Sequence, residues 1–121
     1  MDTKIVLHQT GAGAFAELLP TGAPSQLGED PNALISFAWE NDAAGLLIHD
    51  TALSAKFFDL KSGVAGEALQ KLVNYNCKTA FVMSDLDAED IRVRELAHDH
   101  RRHPMVQFFS ERDLALAWLS S

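Results

Sequence analysis

Residues 45–50 read GLLIHD, and residues 62–83 read SGVAGEALQKLVNYNCKTAFVM. Residues 46–48 form a short, wholly apolar run, as a strand covered on both faces does, and residues 79–83 read as another apolar strand. Between these runs, apolar residues recur at helical spacing: Val64, Ala65, Ala68, Leu69 and Leu72. The pattern predicts a strand, a helix over 62–75 and a second strand. In such a unit the strands are parallel and are joined by a right-handed crossover.

Outside this unit, strands and helices continue to alternate in both directions. We predict further strands at 3–9, 15–19 and 105–109, and further helices that begin at Asp30, near Ala88 and at Ser110. A short glycine-containing turn separates the first two strands, so they form a hairpin and place one antiparallel strand in the sheet. The predicted fold class is therefore α/β, with a mixed five-stranded sheet and the order β-β-α-β-α-β-α-β-α. A chain of 121 residues is expected to form one domain, residues 1–121.

The helix ends and the tryptophans also carry predictions. The first helix has Asp30 as its N-cap and Pro31 at its first helical position. Its buried stripe is predicted to contain Leu34, Ile35, Ala38 and Trp39. Ser110 opens a capping box in which Asp113 replaces the usual glutamate. Trp118 is predicted to lie in the core, as Trp39 is.

The net charge of −7 is unevenly distributed along the chain. Residues 1–50 hold seven acids and one base, whereas residues 51–121 hold ten acids and nine bases. An acidic balance opposes general binding to nucleic acid and to anionic membranes. We therefore expect a partner chosen by charge to be basic and to meet the first fifty residues. The acids expected to meet it are Glu29, Asp30, Glu40 and Asp42.

The start of the sequence and its single cysteine indicate the compartment. The apolar run at 5–7 is too short for the core of a secretory signal, and no run approaches the roughly 20 apolar residues of a membrane helix. We therefore expect the cytoplasm of a microbe. Cys77 has no second cysteine to pair with, and we predict that it is a small, partly buried hydrophobic residue.

Residues 57–71 read FFDLKSGVAGEALQK, with LIHD before them at 47–50 and the pair Asn74-Tyr75 after them. These motifs resemble the signature of an uncharacterised bacterial family, the domain of unknown function numbered 4180. The resemblance covers about residues 44–84 and brings no activity with it. The element order also resembles the STAS domain, the fold of sporulation anti-anti-sigma factors. That second resemblance implies a STAS-like architecture and a regulatory role.

STAS domains carry a phosphorylatable serine at the start of the helix that follows a central strand, and Ser62 corresponds to it by position. A helix N-terminus of the pattern Ser62-Gly63-x-x-Gly66 suits an anion or a phosphoserine. We therefore take Ser62, Gly63 and Gly66 as candidate ligand-binding residues and Ser62 as a candidate phosphorylation site. The alternative is structural: Ser62 is an N-cap, and the glycines let the helix approach the sheet closely.

A second candidate site contains His49, Asp59 and Glu67 beside Ser62. His49 ends a predicted strand, and open α/β sheets hold their sites at the carboxyl ends of strands. Asp59 and Glu67 follow in the next loop and helix, where they would allow binding or general acid–base chemistry. Alternatively, Asp59 caps a turn, Glu67 stabilises the helix start and His49 bonds a buried backbone group. We assign no catalytic residue, because the sequence shows no nucleophile with its own base.

The stretch HDHRRH at 98–103 is the third candidate. Asp99 and His103 are four residues apart and could share a metal ion, but His98 and His100 point to different sides of a helix. Because a protein metal site needs about three convergent ligands, we expect no metal and no cofactor here, and a solvated helix end instead. The arginines of this helix alternate with acids, which is typical of an exposed, salt-bridged surface.

These observations favour a non-catalytic regulatory or protein-interaction module. The alternative is a small-molecule-binding protein or enzyme with a site near His49, Asp59, Ser62 and Glu67. We expect a protein partner or self-association, and neither nucleic acid nor a membrane. A homodimer is one way to cover the edge strands of such a sheet.

Overall fold

A computed structural model describes most of the strands and helices of the chain. The described residues are 4–10, 13–19, 32–40, 42–50, 59, 61, 63–83 and 91–120. The strands are β1 (Lys4–Thr10), β2 (Gly13–Leu19), β3 (Gly45–His49), β4 (Lys78–Val82) and β5 (Val106–Phe109). The helices in this part of the chain are α1 (Ala33–Glu40), α2 (Val64–Asn74), α3 (Ile91–Asp99) and α4 (Arg112–Leu119).

The five strands form one sheet in the spatial order β1-β2-β3-β4-β5. Strand β1 pairs antiparallel with β2, and every later neighbour pairs in parallel. The predicted α/β class, the opening hairpin and the mixed five-stranded sheet are therefore confirmed. Each parallel connection passes through a helix-containing segment, as parallel pairing requires.

The two faces of the sheet are covered unequally. One face packs against α1, α2 and α3, and its buried sheet residues include Ala16, Leu18, Leu46, Ile48 and Phe81. The opposite face packs against α4, and its buried sheet residues are Phe15, Leu47, Ala80 and Val82. Successive residues of a strand point to opposite faces, so Glu17 lies on the α4 face together with Phe15.

Helix α2 forms for the reasons that the sequence predicted. Its buried residues are Val64, Ala65, Ala68, Leu69 and Leu72, the five that recur at helical spacing. They pack into the core beneath the sheet, whereas Glu67 stays exposed in the first turn. A carboxylate in the first turn is favoured by the helix dipole. The predicted structural role of Glu67 is consistent with this position.

The prediction that Trp39 is buried is wrong. Leu34, Ile35 and Ala38 are buried as expected, but 61% of the Trp39 surface is exposed. Trp39 lies in the last turn of α1, where its described aromatic neighbour is Tyr75, an exposed residue at the end of α2. Trp118 is half-buried and packs against Phe109.

Two predicted helix starts also need correction. The N-cap of α2 is Gly63, with φ of 79° and no side-chain cap, so the proposed N-cap Ser62 lies one residue earlier and outside the described residues. The N-cap of α4 is Glu111, again without a side-chain cap, so Ser110 does not open a capping box. In both cases the helix begins after the residue that the pattern indicated.

Close packing against the sheet does not explain the two glycines at the start of α2. A Cβ atom added at Gly63 or Gly66 would have no other heavy atom within 4 Å. Gly63 is needed for its positive φ, which residues with a Cβ rarely adopt. The close backbone approach occurs at Gly45, where an added Cβ would lie 2.6 Å from the Lys78 carbonyl oxygen.

Cys77 is buried, more completely than predicted, and burial raises the pKa of its thiol. The Thr79 hydroxyl donates a hydrogen bond to the Cys77 carbonyl oxygen, which gives this buried hydroxyl a partner. Among the described residues, no helix combines the length and the apolar character that crossing a membrane requires.

Candidate functional site

Among the described residues, the buried charged group is a carboxylate inside the sheet. The Glu17 side chain lies in β2 and is only 1% exposed. Three side chains bond to it: His8 from β1, His49 from the end of β3 and Arg112 from the start of α4. We call these four residues the Glu17 cluster.

Strand register brings the two histidines to Glu17. In the antiparallel hairpin Val6 lies opposite Glu17, and His8 lies two residues further along the same face. In the parallel pair Glu17 aligns with Leu47, so His49 also lies two residues away on that face. The two imidazoles therefore approach the carboxylate from the strands on either side of it.

Each carboxylate oxygen receives two hydrogen bonds. His8 Nε2 bonds Oε1 at 2.9 Å and His49 Nε2 bonds Oε2 at 2.8 Å. Arg112 donates from Nη2 to Oε1 at 2.7 Å and from Nε to Oε2 at 2.6 Å. The His8 ring also stacks on Phe15, with ring centroids 4.8 Å apart. A buried charge is tolerated when it is paired and hydrogen-bonded in this way.

The hydrogen bonds keep the Glu17 carboxylate ionised. The bond from Arg112 lowers the pKa of Glu17 from 4.5 to about 2 against the opposing effect of burial, with further lowering by His49 and His8. Glu17 is therefore ionised at neutral pH and can only accept hydrogen bonds. It follows that Nε2 carries a hydrogen atom in both His8 and His49. A carboxylate that orients an imidazole in this way occurs beside catalytic bases and metal ligands.

The structure separates the residues of the predicted site. His49 lies in the Glu17 cluster on the α4 face, and it bonds a carboxylate instead of a backbone group. Glu67, Gly63 and Gly66 belong to the α2 segment, whose buried side chains pack on the opposite face. Asp59 is exposed, and its Oδ1 accepts a 3.2 Å bond from the Lys61 backbone, as in a capped turn.

Ser62 lies outside the described residues. Its phosphorylation and the ligand-binding roles of its neighbours therefore stay predictions. The described part of the predicted site does not form a common cleft around His49, because α2 and the His49 side chain lie on different faces of the sheet.

The stretch at 98–103 is used to end helix α3. His100 Nδ1 bonds the Leu96 carbonyl oxygen at 2.8 Å, and His103 Nδ1 accepts bonds from the backbones of Met105 and Val106. These contacts support the interpretation of a helix end. Over the described residues, no group of three or more His, Cys, Asp or Glu side chains is arranged to hold a metal ion.

Three members of the Glu17 cluster were missed by the sequence reasoning. The signal for Glu17 is an acid within the apolar strand sequence FAELL at 15–19, because a buried acid needs a partner. The hairpin register would then have indicated His8 as one partner. No sequence pattern indicated Arg112, since its contact depends on how α4 crosses the sheet.

One protein family matches the chain from β2 to the end of α4. The family described as "Domain of unknown function (DUF4180)" matches residues 13–119. The chain belongs to the DUF4180 family. The matched range is longer than residues 44–84, where the sequence motifs resembled this family. The range includes Glu17, His49 and Arg112, whereas His8 precedes it. No curated protein and no solved structure matches the chain.

Proposed function

We propose that this DUF4180 protein is a non-catalytic, STAS-like protein-interaction module of the bacterial cytoplasm that binds a basic segment of a partner protein. One observation carries the proposal: two exposed aromatic side chains contact each other beside exposed acids. Trp39, Glu40, Asp42 and Tyr75 form this feature, which we call the aromatic–acidic surface. The β-β-α-β-α-β-α-β-α order of the described elements supports the STAS-like architecture.

The aromatic pair has the character of an interaction hot spot. The Trp39 and Tyr75 rings meet edge to face, with centroids 5.1 Å apart, and more than half of each residue's surface is exposed. Large aromatic residues supply much of the binding energy of protein interfaces because each buries a large area at low entropic cost. A shallow depression of about 440 Å³ lies beside Trp39 and is also lined by Asp42.

The charge of the surface selects the partner. Glu40 is the last residue of α1, Asp42 follows two residues later, and both are exposed. The Asp42 backbone N–H donates to the Trp39 carbonyl oxygen at 3.1 Å. Complementary charge raises the association rate and disfavours wrong partners. Glu17 does not contribute to this acidity, because Arg112 neutralises it inside the fold. We therefore place the basic partner at Glu40 and Asp42.

Affinity capture from the native host tests this function. The bait variant Trp39→Ser/Tyr75→Ser should lose a protein that the wild-type bait captures. The matched control Ile91→Ser/Leu114→Ser also removes two large exposed apolar side chains, but on α3 and α4, and should retain that protein. Deleting a basic segment of the captured protein should abolish binding. Retention by the aromatic variant, or equal loss in the control, would reject the proposal.

Self-association is a separate proposal about the sheet. Among the described strands, β1 and β5 are the two edges of the sheet, and pairing between copies would cover an edge. Light scattering on the purified protein should then give the mass of a dimer. A monomeric mass at all accessible concentrations would reject it without affecting the partner site.

A further inference from the structure

The Glu17 cluster has hydrogen-bonding capacity that its internal contacts do not use. Arg112 gives Glu17 two of its five N–H groups, and 43% of its side chain is exposed. His8 and His49 each bond Glu17 through Nε2, and their side chains are 26% and 16% exposed. Within the described part of the chain, neither Nδ1 atom makes a hydrogen bond. The carboxylate of Glu17 is thus surrounded by an arginine with further N–H donors and by two imidazoles that each have a second ring nitrogen.

The histidines are not needed to hold the strands together. Backbone pairing already joins β1 to β2 and β2 to β3 at the level of Glu17. Helix α4 is attached through the Arg112 pair, the Lys78 bond to the Trp118 carbonyl oxygen and the apolar contacts of Ala115 and Leu119. What the carboxylate adds is orientation, because it fixes Nε2 as the donor of each ring and leaves Nδ1 on the other side of the ring. Fixed polar groups of this kind are suited to recognising a ligand.

We propose that the Glu17 cluster binds a phosphate group that retains one proton. The remaining N–H groups of Arg112 donate to the phosphate oxygens, for which a guanidinium is well suited. The Nδ1 atom of His49 accepts the P–OH hydrogen. Because Arg112 offsets the Glu17 charge, the carboxylate does not repel the ligand as an unpaired acid would. The ligand is a phosphate that retains a P–OH group, either inorganic phosphate or the monoanion of a phosphomonoester, whose second pKa is about 6. This site is independent of the aromatic–acidic surface.

NMR of the imidazole rings tests the proposal directly. The chain has five histidines, and His98, His100 and His103 lie at the end of α3, where they serve as internal controls. Inorganic phosphate, titrated at constant pH and ionic strength, should shift the His8 and His49 signals saturably with a Kd of about 1 mM or tighter. The three control signals should not follow this curve. Parallel titrations with phosphate and phosphoserine at about pH 6, where about half of the phosphoserine is the monoanion, distinguish free phosphate from a phosphomonoester as the better ligand.

Sulfate is the matched anion, since at neutral pH it has oxygens for Arg112 but no proton to donate. His49→Gln is the matched variant, because a glutamine N–H can still donate to Glu17 while the second ring nitrogen is absent. We expect sulfate to bind at least about tenfold more weakly than phosphate, and His49→Gln to weaken phosphate binding by a similar factor. Absence of a saturable response, equal responses to sulfate and phosphate, or unchanged binding by folded His49→Gln would overturn the proposal.

Discussion

The guanidinium of Arg112, the first residue of α4, donates hydrogen bonds to both carboxylate oxygens of Glu17, which lies 95 residues earlier in β2. A cation in the first turn of a helix opposes the helix dipole, so helix stability does not explain this arginine. Its contact fastens the beginning of α4 to the sheet. Near the other end of α4, Lys78 Nζ donates to the Trp118 carbonyl oxygen at 2.8 Å. Polar contacts therefore hold this helix at both ends.

The pairing of Glu17 and Arg112 predicts a non-additive double-mutant cycle. Arg112→Met should destabilise the protein by about 3 kcal/mol, because it leaves a buried carboxylate without its charged partner. Replacing both residues by Met should cost less than the sum of the two single replacements, since no buried charge remains. Urea denaturation of the four proteins measures the cycle. Additive losses would show that the two side chains are not coupled.

Acid should remove part of the stability through Glu17. Its pKa is about 2 in the folded protein, below the ordinary 4.5, so the ionised form stabilises the fold. This contribution is fully present above pH 4.5 and is lost as the pH falls toward 2, with a total of roughly 3 kcal/mol. Glu17→Gln lacks it, so the difference in unfolding free energy from wild type should shrink over this range. A pH-independent difference would contradict the assignment.

Two glycines should respond oppositely to alanine. Gly45→Ala places a Cβ atom against the Lys78 carbonyl oxygen between β3 and β4, so we expect a loss of about 2–3 kcal/mol. Gly66→Ala adds a Cβ to an exposed helical position with no neighbour within 4 Å, and should stabilise by about 0.5–1 kcal/mol. Thermal denaturation of the two variants compares them. A tolerated Gly45→Ala would show that the strands are not as close as the structure places them.

The two tryptophans should differ in solvent access. Trp39 is largely exposed, whereas Trp118 is half-buried between Phe109 and Lys78. Acrylamide should therefore quench the fluorescence of Trp118→Phe, which retains Trp39, more efficiently than that of Trp39→Phe. Equal quenching, or the reverse order, would show that Trp39 is not the more exposed tryptophan. That result would contradict the aromatic–acidic surface.

Local pattern was sufficient to predict the framework of this fold. The β3-α2-β4 unit has two apolar strands and five apolar helix positions at regular spacing, and the structure buries those five positions. The failure at Trp39 has a physical cause, because spacing assigns a side of a helix but not how far the neighbouring elements extend along it. Trp39 lies in the last turn of α1, where the neighbouring elements leave most of its surface exposed.

The candidate site was much harder to predict than the framework. Among the predicted site residues that the structure describes, His49 alone joins the Glu17 cluster, and its partners come from β1, β2 and α4. Hairpin register connects His8 to Glu17, but Arg112 reaches them through tertiary packing that leaves no local pattern. The predicted neighbours of His49 were close in sequence, and α2 carries Glu67 on the other face of the sheet.

Site-specific photo-crosslinking in the native host tests the central claim, that the aromatic–acidic surface binds a basic partner. A photoreactive phenylalanine analogue replaces Tyr75 on this surface or, as the matched control, Leu114, an exposed residue of α4. We predict one dominant crosslinked protein from position 75 and not from 114. The crosslink should weaken in Glu40→Gln/Asp42→Asn, in which asparagine tolerates the positive φ at position 42. Equal crosslinking from both positions, or no effect of removing the two charges, would contradict the account.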